Sequence, residues 1–370
     1  MASDVIGYDH DVIVEIDNKA IKNNINILQN MSIGSKTLAF VKSNAYGHGI
    51  INFVAEALNN GINDFAVAGI SEFLNLRKQY TDINIVVGYC YYDLKKIQLL
   101  IDNSADLIIS APEHIELLQI VKATNKVRIW LKFNTGMHRM GLDITKIKTY
   151  LAKLSGLAVV DEIIVMSHLS DSCCEKSTLE QYNLFEEYTA NLGLARSLAN
   201  SAAIINFPQT KYDWVRPGIS LYGVSPLQQK TATDLGLAAV MTVKARIISM
   251  NIYSSGDKIG YGSTYELKQR TNVAVISFGY ANGYPYNIFT TAYVVINGVK
   301  CPVIGAISMN LITVDVSNVK DISVGDYAIL WGKSYSVEEL SQAAKVIPYS
   351  ILTQLSLDHV QMMVYKNDVN

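Results

Sequence analysis

The lysine at position 42 closes an apolar run in the segment FVKSNAYGHG. A primary amine whose pKa is easily lowered can condense with a carbonyl group, which is the reaction of a Schiff-base lysine. A lysine at a strand end is more often a solvated residue whose stem packs and whose ammonium reaches water. Position alone therefore leaves both a catalytic and a structural interpretation of Lys42 open.

Three further polar side chains stand where chemistry is possible. His168 ends the apolar run EIIVMSHL, Arg216 follows YDWV and precedes a proline, and Tyr261 lies in a glycine-rich turn. Taken singly, each has a structural explanation: a hydrogen-bonded histidine, an arginine held by a surface carboxylate, and a surface tyrosine. Their meaning depends on whether the fold brings them to one place.

Eight short apolar runs occupy the chain before residue 235, and segments with apolar residues at helical spacing separate them. Apolar strands that alternate with amphipathic helices are typical of parallel strands covered by helices, and eight of them favour a closed (β/α)8 TIM-type barrel. Functional groups of that fold lie at the carboxyl ends of the strands, where Lys42, His168 and Arg216 stand. The runs are TLAFVK at 37, DFAVAGI at 64, INIVVGY at 83, ADLIIS at 105, VRIWLKF at 127, EIIVMSHL at 162, SLAN at 197 and YDWV at 212.

The length of 370 residues exceeds the usual size of a single hydrophobic core, which predicts two domains. After about residue 235 the pattern changes to strands joined by Gly, Asn and Asp turns, with one late helical pattern, SVEELSQAAKV. We therefore predict an α/β barrel over residues 1–235 and a mostly β-strand domain over residues 236–370.

Composition and charge exclude several classes of function. The chain has 49% hydrophobic and 17% charged residues, as folded proteins do, and its formal charge of -2 comes without a basic stripe. Such a surface suits neither a nucleic acid nor an anionic membrane, and no apolar run approaches the ~20 residues that span a bilayer. We expect a small-molecule ligand, with no nucleic-acid or membrane partner.

The cysteines and the N-terminal stretch indicate a cytoplasmic protein. The stretch MASDVIGYDHDVIVEID lacks the basic and apolar regions of a secretion signal. The cysteines Cys90, Cys173, Cys174 and Cys301 show no C-x-x-C pairing, and two adjacent cysteines make a poor disulfide framework, so free thiols are expected. No His, Cys, Asp and Glu cluster predicts a metal site, and the G-x-G fragments lack a dinucleotide fingerprint.

The stretch VKSNAYGHG closely resembles the cofactor-lysine signature of the alanine racemase family. The similarity continues in order along the chain, through LKFNTGMHRMG at 131, MSHLS at 166, LANSAA at 198, DWVRPGISLYGVSP at 213, GYGSTY at 260, FGYANGYP at 278, CPVIGAISMN at 301 and IPYS at 347. The resemblance implies a pyridoxal 5′-phosphate enzyme that interconverts L-alanine and D-alanine and supplies D-alanine for cell-wall peptidoglycan.

The resemblance also implies a two-base mechanism. Lys42 would carry the cofactor and move the α-proton on one face of the substrate, and Tyr261 would act on the other face. Inverting a stereocentre through a planar carbanion needs proton donors on both faces, which one residue does not easily reach. Family members are dimers in which this tyrosine comes from the other subunit, so the resemblance implies a homodimer with a shared active site.

Arg216 and His168 take supporting roles in the resemblance. Arg216 would face the pyridine nitrogen of the cofactor, and since a guanidinium stays protonated, that nitrogen must accept its hydrogen bond and remain unprotonated. The electron sink is thereby weakened, which favours racemisation over transamination or decarboxylation. His168 would link Tyr261 to Arg216 by hydrogen bonds.

The remaining matches concern the cofactor's phosphate and the substrate. Loops after the last two barrel strands commonly hold phosphate, and the family positions there are Asn200, Ser201, Gly218, Ile219, Tyr46 and Tyr349. The substrate side is represented by Arg139, Met309, Tyr280 and Lys132. Lys132 matches a lysine that is often carbamylated in the family, and an unmodified packed lysine stays open as the alternative.

Departures from the family pattern concern the substrate end. Asn134 stands where an aspartate is usual, Ser308 where a cysteine is common, and Asn310-Leu311 where an Asp-Gln pair is typical. Losing two carboxylates is expected to relieve charge repulsion or to alter the hydrogen bonds around Arg139, so serine or a longer amino acid stays open as a substrate.

Two alternatives to a racemase follow from the same barrel. A decarboxylase of basic amino acids would normally place an acidic group where Arg216 lies. A cofactor-binding regulatory protein would lack the second domain, which here supplies Tyr261 and Tyr280.

Overall fold

The computed structural model describes residues 11–89, 91–122, 125–288 and 291–355, and the backbone of residues 361–365. These residues form two units of mutually contacting chain. The first consists of Ile21–Leu221 and Ser225–Leu237. The second consists of the described parts of Met1–Ala20, Tyr222–Val224 and Ala238–Asn370.

Strands and helices alternate through the first two thirds of the chain. The strands are β1 (Val12–Asp17), β2 (Lys36–Phe40), β3 (Asp64–Val67), β4 (Asn84–Val87), β5 (Asp106–Ile109), β6 (Val127–Asn134), β7 (Leu142–Asp143), β8 (Val160–Met166), β9 (Ala195–Asn200) and β10 (Trp214–Arg216). The helical segments are α1 (Asn18–Met31), the turn α2 (Lys42–Tyr46), α3 (Ile50–Asn59), α4 (Ile70–Gln79), α5 (Leu94–Asp102), α6 (Pro112–Ile120), α7 (Ile147–Leu154), α8 (Glu175–Thr189) and α9 (Ser201–Asn206).

Eight parallel strands of the first unit close into a ring, which confirms the predicted TIM-type barrel. Each pairs with the next in the order β5-β4-β3-β2-β10-β9-β8-β6, and β6 pairs with β5 to complete the ring. Every one of the apolar runs singled out in the sequence supplies one of these strands. The strand interiors are almost wholly buried because the ring has side chains inside it and helices outside.

The barrel interior is filled by large side chains near its amino end. Trp130 and Trp214 meet edge to face with ring centroids 5.2 Å apart. Below them Arg128 donates through Nη2 to Asp64 and Asp106, at 2.6 Å each, and so ties the starts of β3, β5 and β6 together. These contacts place a rigid, stabilising layer at the end of the barrel that carries no predicted function.

The second unit is built on an antiparallel sheet. Its further strands are β11 (Met241–Tyr253), β12 (Lys258–Ile259), β13 (Tyr265–Glu266), β14 (Thr271–Ile276), β15 (Tyr293–Ile296), β16 (Val299–Pro302), β17 (Ile312–Asp315), β18 (Tyr327–Trp331) and β19 (Gln361–Tyr365), with helices α10 (Val337–Ala344) and α11 (Pro348–Thr353). The main sheet has the order β16-β15-β18-β11-β1-β19, and β14 pairs with both β11 and β17. A mostly β-strand C-terminal domain, as predicted, is therefore present.

The first strand of the chain belongs to this sheet. The sequence prediction placed residues 11–20 with the barrel, whereas the contacts group them with the second unit. The run VIVEID alternates buried and half-buried positions, and β1 pairs antiparallel with β11 and parallel with β19. An alternating strand with one buried face suits an antiparallel sheet better than the interior of a parallel barrel.

Two further observations concern composition. Within the described ranges, none of the helices combines the length and the apolar character that crossing a bilayer requires. Cys173, Cys174 and Cys301 are free thiols, and Cys90 lies outside the described residues.

Candidate active site

The carboxyl end of the barrel gathers the strand-end residues that the sequence singled out. Lys42 follows β2, Lys132 lies near the end of β6, His168 follows β8, and Asn200 and Arg216 end β9 and β10. Parallel strands direct their carboxyl ends to one mouth of a barrel. The charges of Arg216, Lys132 and Lys42 all act on the His168 ring, so these side chains share one site.

Directly after Lys42 the chain makes a left-handed turn. Ser43, Asn44 and Ala45 have φ of 54°, Tyr46 has φ of 52°, and Gly47 ends the turn. For a residue with a Cβ this conformation costs about 1–2 kcal/mol relative to the right-handed one. Because four such residues follow one another, the surrounding contacts must offset a strain of several kcal/mol.

Hydrogen bonds to two helices, α4 and α3, fasten this turn. One carboxylate oxygen of Glu72 accepts from the backbone N–H of Ser43 at 2.5 Å and of Asn44 at 3.3 Å, and the other accepts from the N–H of Ala68 at 2.9 Å. The amide oxygen of Asn44 accepts from the N–H of Ile50 at 2.9 Å, which ties the turn to the start of α3. The position of Lys42 thus depends on contacts outside its own strand.

His48 supports the same turn from inside the protein. Its Nδ1 lies 3.1 Å from the carbonyl oxygen of Ala45 and 2.9 Å from that of Tyr46, so Nδ1 carries the proton and donates. Burial lowers the pKa of His48 to about 4, which keeps the ring neutral at physiological pH. His48 therefore has a structural role in this turn.

Arg216 is held by donors and acceptors on neighbouring strands. Its Nη1 donates to the Ser197 hydroxyl at 2.6 Å, and its Nη2 donates to the carbonyl oxygens of Ser167 at 2.5 Å and Leu198 at 3.2 Å. The remaining Nε is buried and has no hydrogen-bond partner among the described residues. Burial lowers the pKa of Arg216 to about 10, so the group stays charged at neutral pH and its Nε–H is left without an acceptor in the described part of the chain.

His168 faces this guanidinium as a neutral ring. Burial lowers its pKa well below the ordinary value, and the charges of Arg216, Lys132, Arg139 and Lys42 lower it further. Its Nδ1 lies 3.5 Å from Nη2 of Arg216, a long contact in which Nδ1 is the acceptor. A neutral ring with Nδ1 as acceptor carries its proton on Nε2, which is then available as a donor.

Tyr89 is a member of the site that the sequence prediction missed. The Nζ atoms of Lys42 and Lys132 lie 5.2 Å and 5.5 Å from its ring centroid, within cation–π range. Burial raises the pKa of Tyr89, and Arg216 and Arg139 oppose that shift. The residue closes the apolar run of β4, the same signal that singled out Lys42, His168 and Arg216.

Only a glycine lets Tyr89 reach this place. A Cβ on Gly88 would lie 2.3 Å from the Cβ of Ile108, so the end of β4 approaches β5 more closely than any side chain allows. Tyr89 is further fixed by its N–H, which donates to the carbonyl oxygen of Ala68 at 3.0 Å.

Lys132 is a buried amine surrounded by positive charge. Its side chain is 1% exposed. Burial lowers its pKa to about 8, and Arg216, Arg139 and Lys42 contribute in the same direction. Burial also lowers the pKa of Lys42, the charge of Arg139 lowers it further, and the charge of Glu72 opposes both. Both lysines therefore lose their protons more readily than a solvated lysine.

Next to β10 the chain forms a cradle of N–H and hydroxyl groups. The N–H of Gly218 donates to the Ser201 hydroxyl at 2.9 Å, and a Cβ on Gly218 would lie 2.6 Å from the Tyr46 hydroxyl. Ile219 begins a short 3-10 helix, Ile219–Tyr222, and Asn200 caps α9 by accepting from the Ala203 N–H at 3.0 Å. Free N–H groups at helix starts, together with hydroxyls, are typical of phosphate sites.

Arg139 stands on an exposed loop that Asn134 shapes. The amide oxygen of Asn134 accepts from the backbone N–H of Gly136 at 3.1 Å and of His138 at 3.0 Å, and its nitrogen lies 3.0 Å from Nδ1 of His138. Because an aspartate oxygen would accept the same backbone bonds, the departure at Asn134 preserves the loop. The amide adds a donor toward His138 that a carboxylate lacks.

The other predicted site residues lie in the second unit. Tyr261 opens the 3-10 turn Tyr261–Ser263 with its side chain 75% exposed, and Tyr349 lies in α11. Tyr280 and Met309 are neighbours, because the N–H of Tyr280 donates to the Ser308 carbonyl at 3.2 Å. All four side chains are exposed, so they lie on the surface of this unit and not in its core.

Comparison with known proteins identifies the family to which this fold belongs. Residues 16–226 match the alanine racemase N-terminal domain, and residues 240–363 match the alanine racemase C-terminal domain. The chain belongs to the alanine racemase family. The resemblance stated from the sequence is thereby confirmed, and with it membership in a family of isomerases.

Relatives and solved structures agree with this assignment. The chain is 35% identical to the alanine racemase of Shewanella loihica over 345 residues, covering 92% of this chain and 96% of the relative. It superposes on the biosynthetic alanine racemase of Pseudomonas aeruginosa with a TM-score of 0.92 and 30% identity, covering 96% of this chain and all of that chain, 100%. An alanine racemase from Bartonella henselae with covalently bound pyridoxal phosphate gives a TM-score of 0.86 at 28% identity, covering 96% of this chain and 99% of that chain.

The buried amine of Lys132 makes the stability of this alanine racemase family member depend on pH. The folded-state pKa of about 8 lies below the ordinary 10.5, so below pH 8 a buried charge is present in the fold, and between 8 and 10.5 only the folded state has released the proton. In CO2-free buffer Lys132→Met is expected to raise the free energy of unfolding at pH 7 by roughly 2 kcal/mol, an advantage that fades toward pH 10.5.

Urea unfolding at pH 7 and at pH 10 measures this difference. Lys126→Met, which changes an exposed lysine just before β6, is the control and is expected to leave the midpoint unchanged at both values. A gain from Lys132→Met that is equal at both pH values would contradict a charge effect.

The cradle predicts a coupled pair of substitutions. Gly218→Ala places a methyl group against the Tyr46 hydroxyl and is expected to lower the free energy of unfolding by about 1–3 kcal/mol through overpacking. Tyr46→Phe removes the atom in conflict, so the double variant is expected to be more stable than the sum of the single effects. Denaturant unfolding of the four proteins measures the coupling, and strict additivity would show that the two residues do not touch.

Proposed function

We propose that this chain interconverts L-alanine and D-alanine with pyridoxal 5′-phosphate, using Lys42 and Tyr261 as the two acid/base groups. The observation that carries the proposal is the barrel mouth, where the positive charges of Lys42, Lys132, Arg139 and Arg216 act on one site. The Glu72 carboxylate, which acts on Lys42, already accepts hydrogen bonds from backbone N–H groups. Such a site favours an anionic cofactor and a carboxylate substrate.

The residues present fit this cofactor. Arg216 Nε is a buried donor with no hydrogen-bond partner in the described part of the chain, and a pyridine nitrogen is an acceptor of the right kind. In the proposal the phosphate lies at Ser201, Gly218, Ile219 and Tyr46, with Asn200 and Tyr349 as further neighbours. The relative from Bartonella henselae with covalently bound pyridoxal phosphate supports the same cofactor.

The protein's own groups then account for proton transfer. When bound, pyridoxal phosphate supplies an electron-withdrawing ring that weakens the Cα–H bond of an attached amino acid. Lys42 Nζ, whose pKa burial and Arg139 lower, takes or returns the proton on one face. The guanidinium of Arg216 would donate a hydrogen bond to the pyridine nitrogen without giving up its proton. The nitrogen would stay unprotonated, so the ring would withdraw electrons less strongly, which disfavours decarboxylation.

In this proposal Tyr261 acts on the other face and comes from the second subunit of a homodimer. The exposed position of its side chain leaves the hydroxyl available, and the neutral ring of His168, with its proton on Nε2, is the donor assigned to orient it. The barrel unit, Ile21–Leu221 and Ser225–Leu237, would hold the cofactor, and the second unit would supply Tyr261 together with Tyr280, whose side chain would narrow the entry for the substrate.

The substrate carboxylate is assigned to Arg139 and to the backbone N–H of Met309. Carbamylation of Lys132 fits the site, because a buried amine with a pKa of about 8 is partly unprotonated and its carbamate would place a negative charge among cations. The physiological role we propose is supply of D-alanine for peptidoglycan in the cytoplasm.

Tyr261→Phe tests the two-base assignment. The variant is expected to keep the cofactor absorbance while conversion from at least one enantiomer falls by about 10²–10⁴-fold, because one face loses its proton donor. Tyr265→Phe, a tyrosine that packs on the small core of Ile259, Leu267, Val273 and Ile304, is the matched control and should retain activity.

The same assay separates the competing functions. Purified protein is incubated in deuterated water with L-alanine, L-serine or L-lysine, and α-proton exchange, optical inversion and carbon dioxide are measured. Inversion of serine at the alanine rate would broaden the substrate class, carbon dioxide from lysine would favour a decarboxylase, and absence of exchange despite bound cofactor would leave a binding protein.

Mixing two inactive variants tests the shared active site. After subunit exchange between Lys42→Ala and Tyr261→Phe, about half of the dimers are hybrids, each with one intact lysine–tyrosine site, so about a quarter of wild-type activity is expected. Mixing Lys42→Ala with the double variant restores no site and is the control. A mixture that stays inactive after proven exchange would assign both bases to one subunit.

A further inference from the structure

The strained turn behind Lys42 holds two side chains in fixed relation. Lys42 opens the turn and Tyr46 closes it, and the residues between them are left-handed although none is glycine. Ser43 and Asn44 are exposed, so burial of their own side chains does not fix them. A contact from elsewhere must select this conformation over the right-handed alternatives.

Glu72 makes that contact with both carboxylate oxygens. One oxygen accepts from two successive N–H groups of the turn, those of Ser43 and Asn44, and the other accepts from Ala68 in the loop after β3. Two successive N–H groups of this turn are directed at one carboxylate oxygen, which is an anion-binding arrangement. The carboxylate therefore joins the turn after β2 to the loop after β3.

We propose that Glu72 is a positioning residue that holds Lys42 and Tyr46 in place for the cofactor by fastening the left-handed turn between them. This rests on the proposed function for the roles of the two side chains. The carboxylate fits no role as a reacting group, because both of its oxygens are engaged by backbone N–H groups.

The charge of Glu72 has a second effect on the same lysine. Burial and Arg139 lower the pKa of Lys42, and the charge of Glu72 opposes them. Glu72 therefore limits the decrease in this pKa in the cofactor-free protein. The Glu72 carboxylate thus affects Lys42 in two ways, through the geometry of the turn and through its charge.

An alternative explanation for an acidic residue at position 72 is the general preference for negative charge in the first turn of a helix. Glu113 provides the matched comparison, because it lies in the first turn of α6 as Glu72 lies in the first turn of α4. If only the helix terminus matters, neutralising either residue will have the same effect.

The test compares Glu72→Gln, Glu113→Gln, Ser43→Gly and the double variant Glu72→Gln with Ser43→Gly. Amide hydrogen exchange of residues 43 and 44 is followed in the cofactor-free protein, and the Kd for pyridoxal phosphate is measured by equilibrium dialysis. Glu72→Gln is expected to speed exchange and to weaken binding about tenfold, whereas Glu113→Gln changes neither.

Glycine in the turn provides the rescue. Because glycine adopts positive φ without steric cost, Ser43→Gly is expected to recover several-fold of the affinity lost in Glu72→Gln. A purely electrostatic or helix-terminal role predicts no rescue, so failure of the double variant to recover binding overturns the proposal. Equal effects of Glu72→Gln and Glu113→Gln overturn it as well.

The outcome is independent of turnover. If wild-type protein binds pyridoxal phosphate but does not racemise alanine, the proposed function fails while exchange and dialysis still test Glu72. If the wild type does not bind it, hydrogen exchange in the cofactor-free protein still decides whether Glu72 fastens the turn. Wild-type exchange rates in Glu72→Gln would reject the role of Glu72 and leave the racemase proposal standing.

Discussion

Unbalanced positive charge at one mouth of the barrel is the constraint on which the site depends. The charges of Arg216, Arg139 and Lys42 act on Lys132, that of Arg139 acts on Lys42, and burial raises the electrostatic cost of the two lysines and of Arg216. The surroundings of the cations differ. Arg216 donates hydrogen bonds to carbonyl and hydroxyl oxygens, the two lysines lie beside the Tyr89 ring, and Arg139 lies on an exposed loop. Burial and the repulsion between these positive charges together lower the pKa of both lysines.

The barrel separates stability from chemistry along its axis. At the amino end, Arg128 and its two aspartates satisfy one another and the paired tryptophans fill the interior. At the carboxyl end the turn after Lys42 is strained, like charges lie close together, and Nε of Arg216 has no acceptor among the described residues. The folded state tolerates the second end because the first is well packed, which is the division expected of an α/β barrel.

Much of this arrangement was predictable because it follows from local patterns. Apolar strand runs fixed the barrel, and the rule that function lies at strand ends singled out Lys42, His168 and Arg216. Tyr89 carried the same signal and was overlooked beside them. Glu72 carried none, since a side chain that accepts from backbone 28 or 29 residues away leaves no trace in periodicity or composition. The alternation of VIVEID was also readable, but its partner strands lie more than two hundred residues later.

The placement of β1 has a consequence for how the chain acquires its structure during synthesis. β1 pairs with β11 and β19, and the whole barrel sequence lies between it and both partners. Most barrel strands pair with near neighbours in sequence, and only the pairing of β2 with β10 joins distant parts of the barrel sequence, whereas both partners of β1 follow the whole barrel sequence. A growing chain can therefore complete the barrel while β1 is still unpaired, and the apolar face of Val12, Val14 and Ile16 stays without its sheet until β11 emerges.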